Sequence, residues 1–151
     1  MPLASIVVGT NEIFEHFKTA WDAQTPPIPQ IVYQDSSVTE DPPTTELAFV
    51  HAFVQHNIMG QSTLSGEVGN KRFQRLGFFT VEIRTPAAND VAAATLSNRE
   101  YGDILLTAFE GQNGGPNDEI TFTNAVYNEI GKDGLWFQGV FSVEFEYTTI
   151  R

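Results

Sequence analysis

The chain has no cysteine among its 151 residues. Disulfides, thiolate metal sites and cysteine nucleophiles are therefore excluded, and the fold must be held without staples. Cations are scarce as well: 8 Lys and Arg stand against 19 Asp and Glu, a formal net charge of −11. Proteins that grip nucleic acid do so through Lys and Arg on phosphates, so the charge argues against that class. An acidic surface still suits a place beside DNA, because it repels the duplex and lets it pass without sticking. No apolar run approaches the roughly 20 residues that cross a bilayer. The opening Met1-Pro2-Leu3-Ala4-Ser5-Ile6-Val7-Val8 has no basic residue ahead of a short apolar stretch, so no signal peptide is expected. These absences predict a soluble chain made in the cytoplasm.

What is present is a core. Hydrophobic residues make up 41% of the chain and 12 are Phe, too rich for disorder. One domain over residues 1–151 is expected, with about 70% of the unfolded chain's surface buried. The clearest element is Trp136-Phe137-Gln138-Gly139-Val140-Phe141-Ser142-Val143-Glu144-Phe145-Glu146-Tyr147. Phe137, Phe141, Val143, Phe145 and Tyr147 alternate with Gln138, Ser142, Glu144 and Glu146, which predicts a strand with one face on a core and one face wet. Lys132-Asp133-Gly134 before it is a turn signal that joins antiparallel strands.

Residues 4–23 read as a helix, with Leu3, Ile6, Val7, Thr10, Phe14, Phe17 and Trp21 on one stripe. Gly9-Thr10-Asn11 suggests a break, with Thr10 or Asn11 as a cap, and Pro26-Pro27-Ile28-Pro29 is the stop. A short strand over 30–34 and a polar loop over 35–45 follow. Residues 46–56 read as a strand with two apolar faces, Leu47, Phe49, His51 and Phe53 against Ala48, Val50, Ala52 and Val54. Such a strand is central, or its second face is covered by another subunit. Residues 57–74 read as a long loop carrying Gly60, Gly66 and Gly69, with Lys71, Arg72 and Arg75 close together. A loop of that length in a compact domain is usually functional or mobile.

Residues 75–85 return as a strand with Phe79, Val81 and Ile83 on one side and Phe78, Thr80, Glu82 and Arg84 on the other, so the two strands form a long hairpin. Asn89 or Asp90 caps a second helix ending near Phe109, with Val91, Ala94, Tyr101, Ile104, Leu105 and Ala108 on its face and Gly102 as a weak point. A loop over 111–118 and a strand over 120–130 precede the last turn. The order α-β-β-β-α-β-β predicts an α+β fold, a mostly antiparallel sheet with two helices on one face.

Catalytic constellations are weak throughout. His51 and His56 lie five apart on a strand and face opposite ways, so they share no metal locally. His16 reads as a solvent-facing helix residue. Gly66-Glu67-Val68-Gly69-Asn70-Lys71 has two residues between its glycines where a phosphate loop needs four. Ser62 and Ser65 lack a nucleophile elbow, and 111–119 lacks the ligand spacing of a calcium loop. Glu144 and Glu146 share a strand face, an arrangement that suits acid–base work in principle and a hydrated face more simply. No enzyme activity, cofactor or metal is expected. Lys71, Arg72 and Arg75 have three readings: hydration of a loop, contact with nucleic-acid backbone, or pairing with the acidic surface of a neighbouring copy.

Taken in order, several segments resemble the tail-terminator, or tail-completion, proteins of long-tailed phages. Trp21 followed by Thr25-Pro26-Pro27-Ile28-Pro29 looks like the end of that family's first helix and its proline-marked entry to the sheet. Arg75-Leu76-Gly77-Phe78-Phe79-Thr80-Val81-Glu82-Ile83-Arg84-Thr85-Pro86-Ala87 is similar to its strand that ends in Thr-Pro, and the helix through Leu106 and Phe109 follows. Asp133-Gly134-Leu135-Trp136-Phe137-Gln138, running into Phe145-Glu146-Tyr147, looks like its closing strand. The 111–119 loop is longer than the family pattern, and the 57–74 tip maps onto none of it.

The resemblance implies a virion protein at the tail–neck junction that works without chemistry of its own. It implies a homo-oligomeric ring, a hexamer, that caps the head-proximal end of the tail tube and stops its polymerisation. Its partners would be the tail tube protein and a neck or head-completion protein, with DNA passing through unbound and no membrane involved. Candidate contacts are Val50, Ala52 and Val54, the loop glycines Gly60, Gly66 and Gly69, and Lys71, Arg72 and Arg75. Other readings are a neck adaptor, a subunit that polymerises as a tube, and a small-ligand domain with a Phe-lined pocket between sheet and helices.

Overall fold

In the computed structural model, residues 2–24, 30–33, 48–61, 71–88 and 90–150 are described. Ser5 caps the first helix, α1 (Ile6–Asp22): its backbone is extended and its Oγ accepts from the Val8 amide at 3.2 Å. The expected break at Gly9, with Thr10 or Asn11 as cap, is absent, and the helix runs straight through. Its buried stripe is Gly9, Ile13, Phe17 and Trp21, while Val7 faces solvent. Gly9 belongs to that stripe because the helix lies directly on the ring of Tyr147, where a Cβ would overlap the phenol.

The strands are β1 (Gln30–Tyr33), β2 (Phe49–Gln61), β3 (Arg72–Pro86), β4 (Asn113–Gly114), β5 (Ile120–Asp133) and β6 (Trp136–Ile150), with α2 (Val91–Phe109) between β3 and β4. They form one sheet in the order β1-β2-β3-β6-β5-β4. β1 is parallel to β2, and the remaining pairs are antiparallel. The chain is thus α+β, with both helices on one face of a mostly antiparallel sheet. The two-residue β4 is the one element that the periodicity did not predict. β2 and β3 reach further than expected, to Gln61 and back to Arg72, so both ends of the loop expected over 57–74 are sheet. Its tip, residues 62–70, lies outside the described residues.

Alternation sets the core. Phe79, Val81 and Ile83 from β3 and Phe141, Val143, Phe145 and Tyr147 from β6 point under the helices, as their spacing predicts. Phe17 and Trp21 of α1, Leu105 and Phe109 of α2 and Phe122 of β5 close over them. Phe109 sits at the centre, with its ring 5.4 Å from those of Phe79 and Phe141 and 4.8 Å edge-on to Phe122. Aromatic pairs in that range add about 0.5–1.5 kcal/mol each beyond their burial. The loop between β5 and β6 is Gly134-Leu135, with Gly134 at φ 59, a conformation that glycine adopts without strain.

Candidate functional site

Two polar constellations lie on the helix side of the sheet. At the hairpin end, β2, β3 and β6 bring His56, Arg75, Tyr147 and Thr149 together. Tyr147 Oη lies 2.6 Å from His56 Nε2, and Arg75 Nε donates to Thr149 Oγ1 at 3.0 Å. The Arg75 guanidinium also lies over the ring of Phe73 at 5.3 Å. Burial, with Arg75 beside it, holds the His56 imidazole below its usual pKa, so the neutral ring is favoured. Burial pushes the Tyr147 phenol up to about 12 despite the same cation. Gly77, opposite His56, makes this close approach possible: a Cβ there would overlap the Gln55 carbonyl and the Phe145 ring. Across from it β2 bulges between His56 and Ile58.

The second constellation fastens α2. Asn98, fully buried, donates through Nδ2 to the carbonyls of Ile83 at 3.0 Å and Phe137 at 3.2 Å, and its Oδ1 accepts from the Tyr127 hydroxyl. Thr85 Oγ1 donates to the Ala94 carbonyl at 2.9 Å. These bonds satisfy polar atoms in a dry layer; they expose no reactive group to solvent. Beside them Arg99 of α2 pairs with Glu129 of β5, which holds the carboxyl below its ordinary range.

The expected contact residues scatter. Val50 and Ala52 are 0% exposed and Val54 is 7%, all within this chain's own core. They are not an interface, and the outward side of β2 carries His51 and Phe53 instead. Arg75 leaves the basic cluster: it is 5% exposed and faces inward, whereas Arg72, three positions earlier on the same strand, faces out. Lys71 precedes β3 and is half-buried. Gly60 lies on β2, paired with Gln74, with open space where a Cβ would stand. Gly66 and Gly69 lie outside the described residues.

His16 is also placed differently from its expectation. Its Nε2–H donates to the Ala108 carbonyl at 2.8 Å, and its ring lies tilted against Phe109 at 4.9 Å and Phe122 at 5.0 Å. One edge of it lines a groove of about 470 Å³ between α1 and β4, with Glu12, Glu15, Asn113 and Gly115. The Phe-lined pocket expected between sheet and helices is filled by the core rings, and this groove lies at the rim. Among the described residues no three His, Asp or Glu side chains are grouped to hold a metal ion, and no helix is long and apolar enough to cross a membrane.

The opposite face of the sheet carries no helix among the described residues. Thr80, Glu82 and Arg84 of β3 stand beside Gln138, Ser142, Glu144 and Glu146 of β6. Glu82 lies 3.9 Å from both His51 and Arg84, Gln74 donates to Glu146, and Asn124 donates to Glu144 at 2.6 Å. The result is a mixed face on which hydroxyls, amides and carboxylates alternate with Phe53, Leu76, Phe78, Val126 and Val140.

No family model matches the chain, and no curated protein matches it. Among solved structures, one whose name carries no functional description superposes at a TM-score of 0.60 over 97% of this chain and 96% of the other, with 16% identity. At that identity the likeness is one of fold alone.

Proposed function

We propose that this chain is a structural subunit of a phage tail, a terminator that forms a ring on the head-proximal end of the tail tube. It ends tube growth and offers its other rim to the neck. A tube grows because each ring presents a template for the next, and a terminator matches that template on one rim only. The reading rests on the segment order that resembles the terminator family. The observation that carries it is the open sheet face, where Glu82, Glu144 and Glu146 outnumber Arg72 and Arg84 among mixed polar and apolar neighbours. Turned toward a channel, a face with more carboxylates than guanidiniums disfavours phosphates on balance, in keeping with a net charge of −11.

Electron microscopy and mass measurement of the purified protein, alone and mixed with tail tubes, test the proposal. Discrete rings that cap one tube end are expected. Long self-assembled tubes would instead identify a tube subunit, and a chain that stays monomeric in both conditions would overturn the ring.

A further inference from the structure

Among the described residues, the two lateral edges of the sheet are only partly covered. On the outer side of β2, β1 pairs with residues 49–52. Residues 53–61 have no strand beyond them among the described residues. On the outer side of β5, β4 pairs with residues 120 and 121, and the remainder of this strand to Asp133 is bare in the same sense. Unpaired edges are a template for another chain, and solitary proteins blunt them with charge, proline or irregularity.

The β2 edge uses little of this protection. Phe53-Val54-Gln55-His56-Asn57-Ile58-Met59-Gly60-Gln61 has no Lys, Arg, Asp, Glu or Pro, in a chain with 19 acidic and 8 basic residues. One bulge, between His56 and Ile58, is its sole irregularity in the pairing with β3. The β5 edge is bulged twice, yet after the first bulge it exposes Val126 at 44%, and Ile130 within the second is 62% exposed. Apolar side chains standing in water on an edge strand suit a surface that becomes covered.

Strand direction selects the occupant. β2 is antiparallel to β3, β3 to β6 and β6 to β5, so β2 and β5 run oppositely. A second copy placed with its β2 beside β5 therefore continues the antiparallel alternation and keeps its helices on the same side. The two edges differ from each other, and a contact between unlike surfaces repeats head to tail until the rotation closes. We infer that the bare part of β5 pairs with residues 53–61 of β2 in a second copy of this chain, making one sheet that runs from subunit to subunit. The inference rests on the ring reading and specifies the surface that builds it.

The test uses two full-length variants. Gln55→Lys places a charge on the exposed side of the β2 edge, and Val126→Lys does the same on β5; both positions are exposed, so each chain should fold as a monomer with an unchanged circular dichroism spectrum. Each should lose ring formation alone. Mixed, they should form a 1:1 dimer and nothing larger by native mass spectrometry, because each retains the edge that the other lacks. Rings of normal size from either variant would overturn the edge contact while leaving the ring intact. A dimer of Val126→Lys with itself would also overturn it, in favour of a two-fold β2 contact. A native chain that never assembles, with or without tail tubes, would overturn both readings.

Discussion

The imidazole of His56 is half-buried, bonded to a phenol and close to a guanidinium that cannot lose its charge. Its pKa in the fold is below the ordinary 6.5, so as pH falls through that value the unfolded chain takes up a proton that the folded chain resists. Stability is then lost on acidification, and above 6.5 the residue contributes no pH dependence. The slope has a ceiling of about 1.4 kcal/mol per pH unit for one proton, and the ring's partial exposure reduces it. Urea midpoints compared at about pH 5 and about pH 7.5 should differ more for the native chain than for His56→Gln. An equal difference in both would remove His56 from the account. Arg75 next to it explains why this cluster was invisible in sequence. Read as a loop, Lys71, Arg72 and Arg75 are neighbours; read as a strand, Arg72 and Arg75 must face opposite ways. The error lay in where β3 begins, and from that boundary the parity of each charge follows.

At the level of elements, alternation was legible wherever it was strict. β3 over Phe79, Val81 and Ile83 and β6 over Phe141, Val143, Phe145 and Tyr147 have apolar residues at every second position, and the structure buries those sets. The helices were read less well because close packing rewards small or polar residues that a hydrophobic stripe overlooks. Gly9 lets α1 approach Tyr147, Gly102 lets α2 approach Tyr127, and Asn98 occupies a core position by satisfying two strand carbonyls at once. Val7 and Val91, apolar and assigned to the stripes, are exposed. The parallel pairing of β1 had no local signal, since it depends on where the chain returns. The Asn98 link makes a prediction about α2 as a unit. Asn98→Ala leaves the Tyr127 hydroxyl and the carbonyl oxygens without this partner in a dry layer, at a cost on the order of 3 kcal/mol. Asn98→Asp should cost at least as much, because a buried carboxylate would face two carbonyl oxygens. Denaturant titration with an unchanged m value would confirm a loss of stability alone, and a change under about 0.5 kcal/mol would show that the bonds are dispensable.

For the whole molecule, the decisive fact is that one cluster joins α1, α2, β2, β3, β5 and β6. Phe109 alone touches rings contributed by β3, β5 and β6, and the His16 ring of α1. Beyond that cluster α2 has only the small contact of Ala94 with Ala87 and Phe137, so the described chain should unfold in one step. Helical circular dichroism and aromatic near-ultraviolet signals are expected to lose their native values along a single curve in urea. Phe109→Ala should shift both together, by about 3–5 kcal/mol for a phenylalanine cavity at full burial. A variant in which the helical signal falls first would mean that α1 or α2 detaches while the sheet persists. That result would matter for assembly too, because the proposed edge-to-edge contact uses strands alone, and a sheet that outlives its helices would expose its apolar face to every neighbouring copy.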